Sequence, residues 1–214
     1  MIIGTTHPAY IARWENAGKS RWNGAYYYAK EIEQNIIPNV KTDRNWILLN
    51  MRGVGCDHAI VFIHNNLHPE NYEWLKKYKD LILVCGVPET VDKVKHLGKT
   101  IYLPLSVDLN YVKQFKVKEK TREAAFVGRP SKRRGLELPE GIDYIEGVPR
   151  DEMLKQVAKY KTVYAVGRCA LEAKALKCEL KAYDPRYPDV SVWEVHDNKT
   201  EAKRLQKELD RIDG

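Results

Sequence analysis

Two stretches gather the residue types that hold a phosphorylated ligand. The first is Val127-Gly128-Arg129-Pro130-Ser131-Lys132-Arg133-Arg134-Gly135, where an apolar run ends at a glycine and four cations fall within six residues. In open α/β sheets ligands bind beyond the carboxyl ends of the strands. Cations there neutralise a diphosphate, and a guanidinium clamps two oxygens at once. A solvated basic loop and a nucleic-acid patch are the competing readings. The second stretch is Tyr164-Ala165-Val166-Gly167-Arg168-Cys169-Ala170-Leu171-Glu172-Ala173-Lys174-Ala175. An apolar strand there turns at Gly167 straight into a helix. A helix start offers unpaired N–H groups and a partial positive charge to an anion. Glu172 lies one turn in, where a carboxylate accepts both hydroxyls of a ribose, as acidic residues do in dinucleotide sites. It equally fits complementing the helix dipole or pairing with a lysine.

These residues need a scaffold, and the hydrophobic pattern supplies one. Helical spacing of Ala25, Tyr28, Ala29, Ile32 and Ile36 predicts a helix over 24–36, stopped by Pro38. Strands are expected at 45–50, 58–63, 81–85 and 100–105, with helices at 70–79 and 88–97. The run 81–85 is apolar throughout, as in a strand buried on both faces of a parallel sheet. A Lys-rich segment at 113–122 reads as a linker. Beyond it strands at 124–127, 142–145, 162–166 and 180–183 alternate with helices at 150–160 and 169–177, and a charged helix closes the pattern at 199–211. Alternation of this kind argues for βαβ units. The expected organisation is two α/β lobes, residues 1–112 and 120–214.

Composition bounds the rest. With 214 residues, 43% of them apolar and 30% charged, the chain has the balance of a globular protein and the length of one large domain or two small ones. A formal net charge of +7 favours anionic partners without choosing among nucleic acid, phosphorylated ligands and acidic membranes. Four cysteines occur without a C-x-x-C pair or a nearby histidine cluster, which points to a reducing compartment and to no metal site. No segment reaches the roughly 20 apolar residues that span a bilayer, and the start of the chain lacks a signal-peptide pattern.

The two opening stretches together resemble the donor-binding domain of GT-B fold glycosyltransferases, nearest the retaining family called glycosyl transferases group 1. The family's Gly-Arg pair and following Lys-Gly pair are matched by Gly128-Arg129 and Arg134-Gly135. Its Gly-Val turn is matched by Gly147-Val148, and its Gly-x-x-x-x-Glu-Ala-x-Ala block by Gly167 through Ala175. The resemblance implies two Rossmann-like lobes with parallel sheets, a cleft between them, and no cofactor beyond a nucleotide-sugar co-substrate, expected to be UDP-linked. It implies that Arg129 and Arg134 grip the diphosphate, that Glu172 holds the ribose, and that Gly24, Gly128, Gly147, Val148, Gly167 and Arg168 line the donor. His64, after the strand 58–63, matches the histidine that touches the transferred sugar. Retention of anomeric configuration comes with the family. Where the family carries a second Glu, this chain has Tyr164.

The acceptor is open at this stage. The loop Arg13-Trp14…Lys19-Ser20-Arg21-Trp22 mixes cations and indoles, which suits DNA with hydroxymethylated bases in a bacteriophage setting: Arg13, Lys19 and Arg21 for phosphates, Trp14 and Trp22 for stacking. The same loop fits a lid over the donor. A cell-envelope glycan is the second acceptor class, and a nucleotide- or nucleic-acid-binding module without catalysis is the reading outside enzymes. A cytoplasmic location, bacterial or in a phage-infected cell, is expected.

Overall fold

The computed structural model describes residues 2–3, 24–48, 55–63, 69–128, 138–183 and 194–214. It is an α/β protein with parallel sheets, compatible with a Rossmann-like arrangement. The chain divides into two compact units. One gathers Ala25–Leu105 and Asn198–Gly214 together with the strand Ile2–Ile3; the other holds Ser106–Asp197.

The first unit is built on five parallel strands in chain order: β1 (Ile2–Ile3), β2 (Asn45–Ile47), β3 (Ala59–Ile63), β4 (Leu81–Cys85) and β5 (Lys99–Tyr102). All ten residues of β3 and β4 are buried. Their side chains alternate between two cores, as a period of two requires. Ile60, Phe62, Ile82 and Val84 meet helix α1 (Gly24–Glu31), the π turn that extends it (Ile32–Ile36) and the terminal helix Asn198–Asp213. Phe62 is the hub, stacked 6.2 Å from Trp46 and edge-on to Tyr28 at 6.5 Å. Val61, Leu83 and Cys85 face the other way. There they meet the 3-10 helix Pro69–Lys77 and the region of helix α2 (Pro88–Val94). Burial pushes the Cys85 thiol up to about 12, and the four cysteines are free thiols.

The lower edge of this sheet is tied by charge. His58 and Asp80 precede β3 and β4, both at φ +53°, a left-handed conformation that His and Asp tolerate better than most residues. His58 Nδ1 lies 2.6 Å from Asp80 Oδ2, and its Nε2 lies 3.1 Å from Asp43. Buried Arg44 reaches Asp80 Oδ2 at 3.0 Å and Asp213 at 2.7 Å. The Asp80 carboxylate, then that of Asp43, holds the His58 pKa above its ordinary 6.5. His58, then Arg44, holds Asp80 below 3.8 against the opposing effect of its partial burial. Because its folded pKa is raised, His58 adds stability that is complete below pH 6.5 and is lost as pH rises through the folded value. Asp80 adds stability that is lost as pH falls through its own depressed value. Urea midpoints are therefore expected to decline from about pH 6 upward, and His58→Asn to flatten that slope. An identical slope in the variant would remove His58 from the account.

The second unit carries a four-stranded parallel sheet ordered β10 (Glu179–Lys181), β9 (Tyr160–Tyr164), β7 (Arg122–Val127), β8 (Asp143–Ile145). Its first strand is therefore internal, and the chain steps out to both sides of it. Helices α3 (Leu109–Lys113), α4 (Arg150–Val157) and α5 (Arg168–Ala175) belong to this unit. So does a two-residue strand pair, β6 (Ser106–Val107) with β11 (His196–Asp197).

Five sequence expectations change. The terminal helix, α6 (Asn198–Asp213), belongs to the first unit and not to the half ending at 214, because Ala202, Leu205 and Leu209 complete the core around Phe62. Residues 106–112 move the other way. Within the expected linker, β7 already begins at Arg122, and α3 ends at Lys113. The helix expected over 24–36 is α-helical only to Glu31, and 70–79 is a 3-10 helix ending at Lys77.

Candidate functional site at the carboxyl edge of the second sheet

Three glycines singled out by their sequence surroundings come together here. Val127 pairs with Ile145, and Phe126 pairs with Tyr164. Gly128, Gly147 and Gly167 therefore follow the carboxyl ends of three adjacent strands, β7, β8 and β9. The Gly128 N–H donates to the Ile145 carbonyl at 3.3 Å, which fixes the first two turns against each other. Gly147 and Gly167 have φ of +66° and +62°, and an added Cβ would find no atom of the described residues within 4 Å of either. Their backbone conformation excludes ordinary side chains. Between β7 and β9 lies the switch point of the sheet, since β8 and β9 continue the chain on opposite sides of β7. Ligands of open parallel sheets settle at such points. The first sheet, in chain order, has none.

Helix α5 starts directly at this edge, with Gly167 as its N-cap at ψ −139° and with no capping side chain. Its Ala170 and Leu171 amides donate to the Gly167 carbonyl at 3.1 and 3.4 Å, and the positive end of the helix lies at this edge. Behind them lies a buried ionic group. Glu172 is fully buried, and its Oε1 accepts from Arg150 Nε at 2.9 Å and forms ion pairs with Arg150 Nη2 at 2.7 Å and Arg168 Nε at 3.5 Å. Oε2 has no hydrogen-bond partner among the described residues. Arg168 Nη1 donates to the Ser106 carbonyl at 3.1 Å. The Arg150 guanidinium sits 4.9 Å above the Tyr111 ring, and the Tyr111 hydroxyl donates to Asp151. Side chains from α3, α4 and α5 thus interlock through two guanidiniums that share one carboxylate.

Of the expected donor residues, Gly128, Gly147, Val148, Gly167, Arg168 and Glu172 lie on this edge or directly behind it. Val148 is partly buried and Arg168 is buried. Gly24 opens α1 and is grouped with the second unit. His64, Arg129, Arg134, Arg13, Trp14, Lys19, Arg21 and Trp22 lie outside the described residues. Arg150 and Tyr111 were not anticipated from the sequence. Arg150 did leave a signal: a cation at the start of a helix opposes the dipole, so its place after Pro149 implies a carboxylate partner. Among the described residues no group of three His, Cys, Asp or Glu is placed to hold a metal ion, and no helix is long and apolar enough to cross a membrane. Comparison of the chain with protein-family models, with curated proteins and with solved structures found no match.

Proposed function

We propose that the protein is a glycosyltransferase that binds the diphosphate of a nucleotide-sugar at the carboxyl edge of β8, β7 and β9. One observation carries the reading: glycine turns follow the carboxyl ends of three adjacent parallel strands at a switch point, two of them at positive φ, and a helix N-terminus without a side-chain cap begins at the same edge. A diphosphate is the ligand that suits glycine turns and a helix start at one sheet edge. Arg129 and Arg134, which follow Gly128 in the chain, neutralise the charge that grows on the departing diphosphate as the sugar passes through an oxocarbenium-like state. Glu172 is the residue that the family resemblance assigns to the ribose, and its Oε1 keeps Arg150 and Arg168 in place. Lobe closure, a UDP-linked donor and a cytoplasmic setting belong to the same proposal.

Thermal unfolding tests it. A nucleoside diphosphate or its sugar at about a hundred times its Kd stabilises a fold by about 2.7 kcal/mol. For a chain of this size that raises Tm by roughly 5–10 °C. The shift is expected with one nucleotide class and absent in Arg134→Ala. No shift with any nucleoside diphosphate or nucleotide-sugar would overturn the reading. A second reading, a nucleotide-binding module without turnover, is favoured by Tyr164 standing where the similar family has a Glu. Slow release of nucleoside diphosphate from one sugar donor supports the enzyme, and tight binding without release supports the module.

A further inference from the structure

The terminal helix α6 presents two opposite faces. Asn198, Glu201, Ala202, Leu205 and Leu209 are buried on one of them. On the other, at about 100° per residue, lie Lys199, Lys203, Arg204, Lys207 and Arg211, all exposed, with Asp210 as the single acid among them. Lys199, Lys203, Lys207 and Arg211 recur every fourth position and so form one continuous row. Asp210 is engaged by Gln206 at 2.7 Å, and Arg211 reaches Glu208 at 2.8 Å. No carboxylate among the described residues pairs with Lys203 or Lys207. Arg204 is steadied 5.6 Å over the half-exposed Tyr102 ring. Like charges at this spacing repel one another and weaken a helix.

We propose that this face docks the phosphodiester backbone of duplex nucleic acid. The row runs ~18 Å along the helix axis, a length over which one strand of a duplex carries about five phosphates. Helix α6 carries no aromatic residue, and the neighbouring Tyr102 ring is occupied by Arg204, which favours a duplex over a single strand. The apolar residues of α6 are spent in the core around Phe62, so none is left to enter a bilayer as an interfacial helix does. Recognition is therefore by charge, independent of sequence and steeply dependent on salt. The face lies in the first unit and stands apart from the diphosphate proposal. Should that proposal hold as well, this face supplies the class of acceptor: a base carried on a duplex.

The experiment is a salt titration of binding to a labelled mixed-sequence duplex, read by fluorescence anisotropy between about 50 and 200 mM salt. The wild-type protein is expected to bind with a negative log–log slope. The triple variant Lys203→Ala, Lys207→Ala, Arg211→Ala is expected to bind at least about tenfold more weakly at low salt, with a slope shallower by about 2 to 3, near 0.9 for each phosphate that is no longer neutralised. A control with Lys76→Ala, Lys93→Ala and Lys95→Ala removes equal charge from the elements that cover the other face of the sheet, and it should keep the wild-type slope. Absence of duplex binding by the wild-type protein overturns the proposal, without reference to any variant. Equal losses in both variants, or binding to anionic vesicles but not to duplex, also overturn it. Nucleotide-induced thermal shifts should be the same in all three proteins, so this failure and failure of the diphosphate reading are told apart.

Discussion

Glu172→Ala is expected to unfold the second unit under conditions where the wild-type protein is stable. The carboxylate is fully buried and meets Arg150 through two nitrogens at 2.9 and 2.7 Å. Removing it leaves two buried guanidiniums without the anion they share. Breaking a buried ion pair from one side costs about 3–5 kcal/mol. That is a large part of the roughly 5–15 kcal/mol that holds a domain folded. Glu172→Gln keeps the shape and one acceptor oxygen, and its loss should be smaller. The double replacement Arg150→Met, Glu172→Leu should recover part of the alanine loss, since an apolar substitute for a buried pair is often neutral or better. Urea unfolding followed by circular dichroism measures all three. A wild-type midpoint for Glu172→Ala would mean that the ion group contributes nothing to the fold. The result also governs how the donor site is probed: the glutamine variant, and not the alanine, can report on nucleotide affinity separately from folding.

Gly167→Ala should lose nucleotide affinity by about a hundredfold, and stability with it. At φ +62° and ψ −139° the residue occupies a region that side chains avoid, at a cost of about 1–3 kcal/mol for a non-glycine. An added Cβ meets no atom of the described residues within 4 Å, so the cost among them is backbone strain and not collision. The proposed diphosphate sits at this turn, and a shifted turn misdirects the start of α5. Gly141→Ala is the matched control. Its φ is +72°, it too has no neighbour within 4 Å, and it lies before β8 at the opposite end of that strand. Both variants should melt lower, and only Gly167→Ala should fail to respond to nucleotide. Equal nucleotide response in the two would remove Gly167 from the ligand site.

What the sequence made legible follows from the range of the interactions. β3, β4 and the strand ending at Val127 announce themselves as short apolar runs because their residues there are buried on both faces, whichever part of the chain covers them. The turn at Gly167 was legible because strand, glycine and helix follow one another directly. The pairing of Ser106–Val107 with His196–Asp197 left no local trace, since each strand is two residues long and its partner is remote in the chain. The same holds for the ion group: Arg150 and Glu172 are 22 residues apart, and no local periodicity joins them. Helix α6 was found correctly as a helix and placed in the wrong half, because periodicity reports that an apolar face exists and not which sheet covers it. The 3-10 helix at Pro69–Lys77 was read as a regular helix because its buried Tyr72 and Leu75 repeat at a spacing common to both forms.

The place of α6 in the first unit bears on how the polypeptide matures at the ribosome. Chains emerge from their amino end, and domains fold as units once all their parts are out. Ser106–Asp197 forms an uninterrupted stretch inserted between two pieces of the other unit. It can therefore finish folding while the earlier-made strands around Phe62 still lack one side of their covering. The half that is synthesised first is the half that is completed last, and until residues 198–214 arrive its Ile60, Phe62, Ile82 and Val84 are left without that part of their shelter from water.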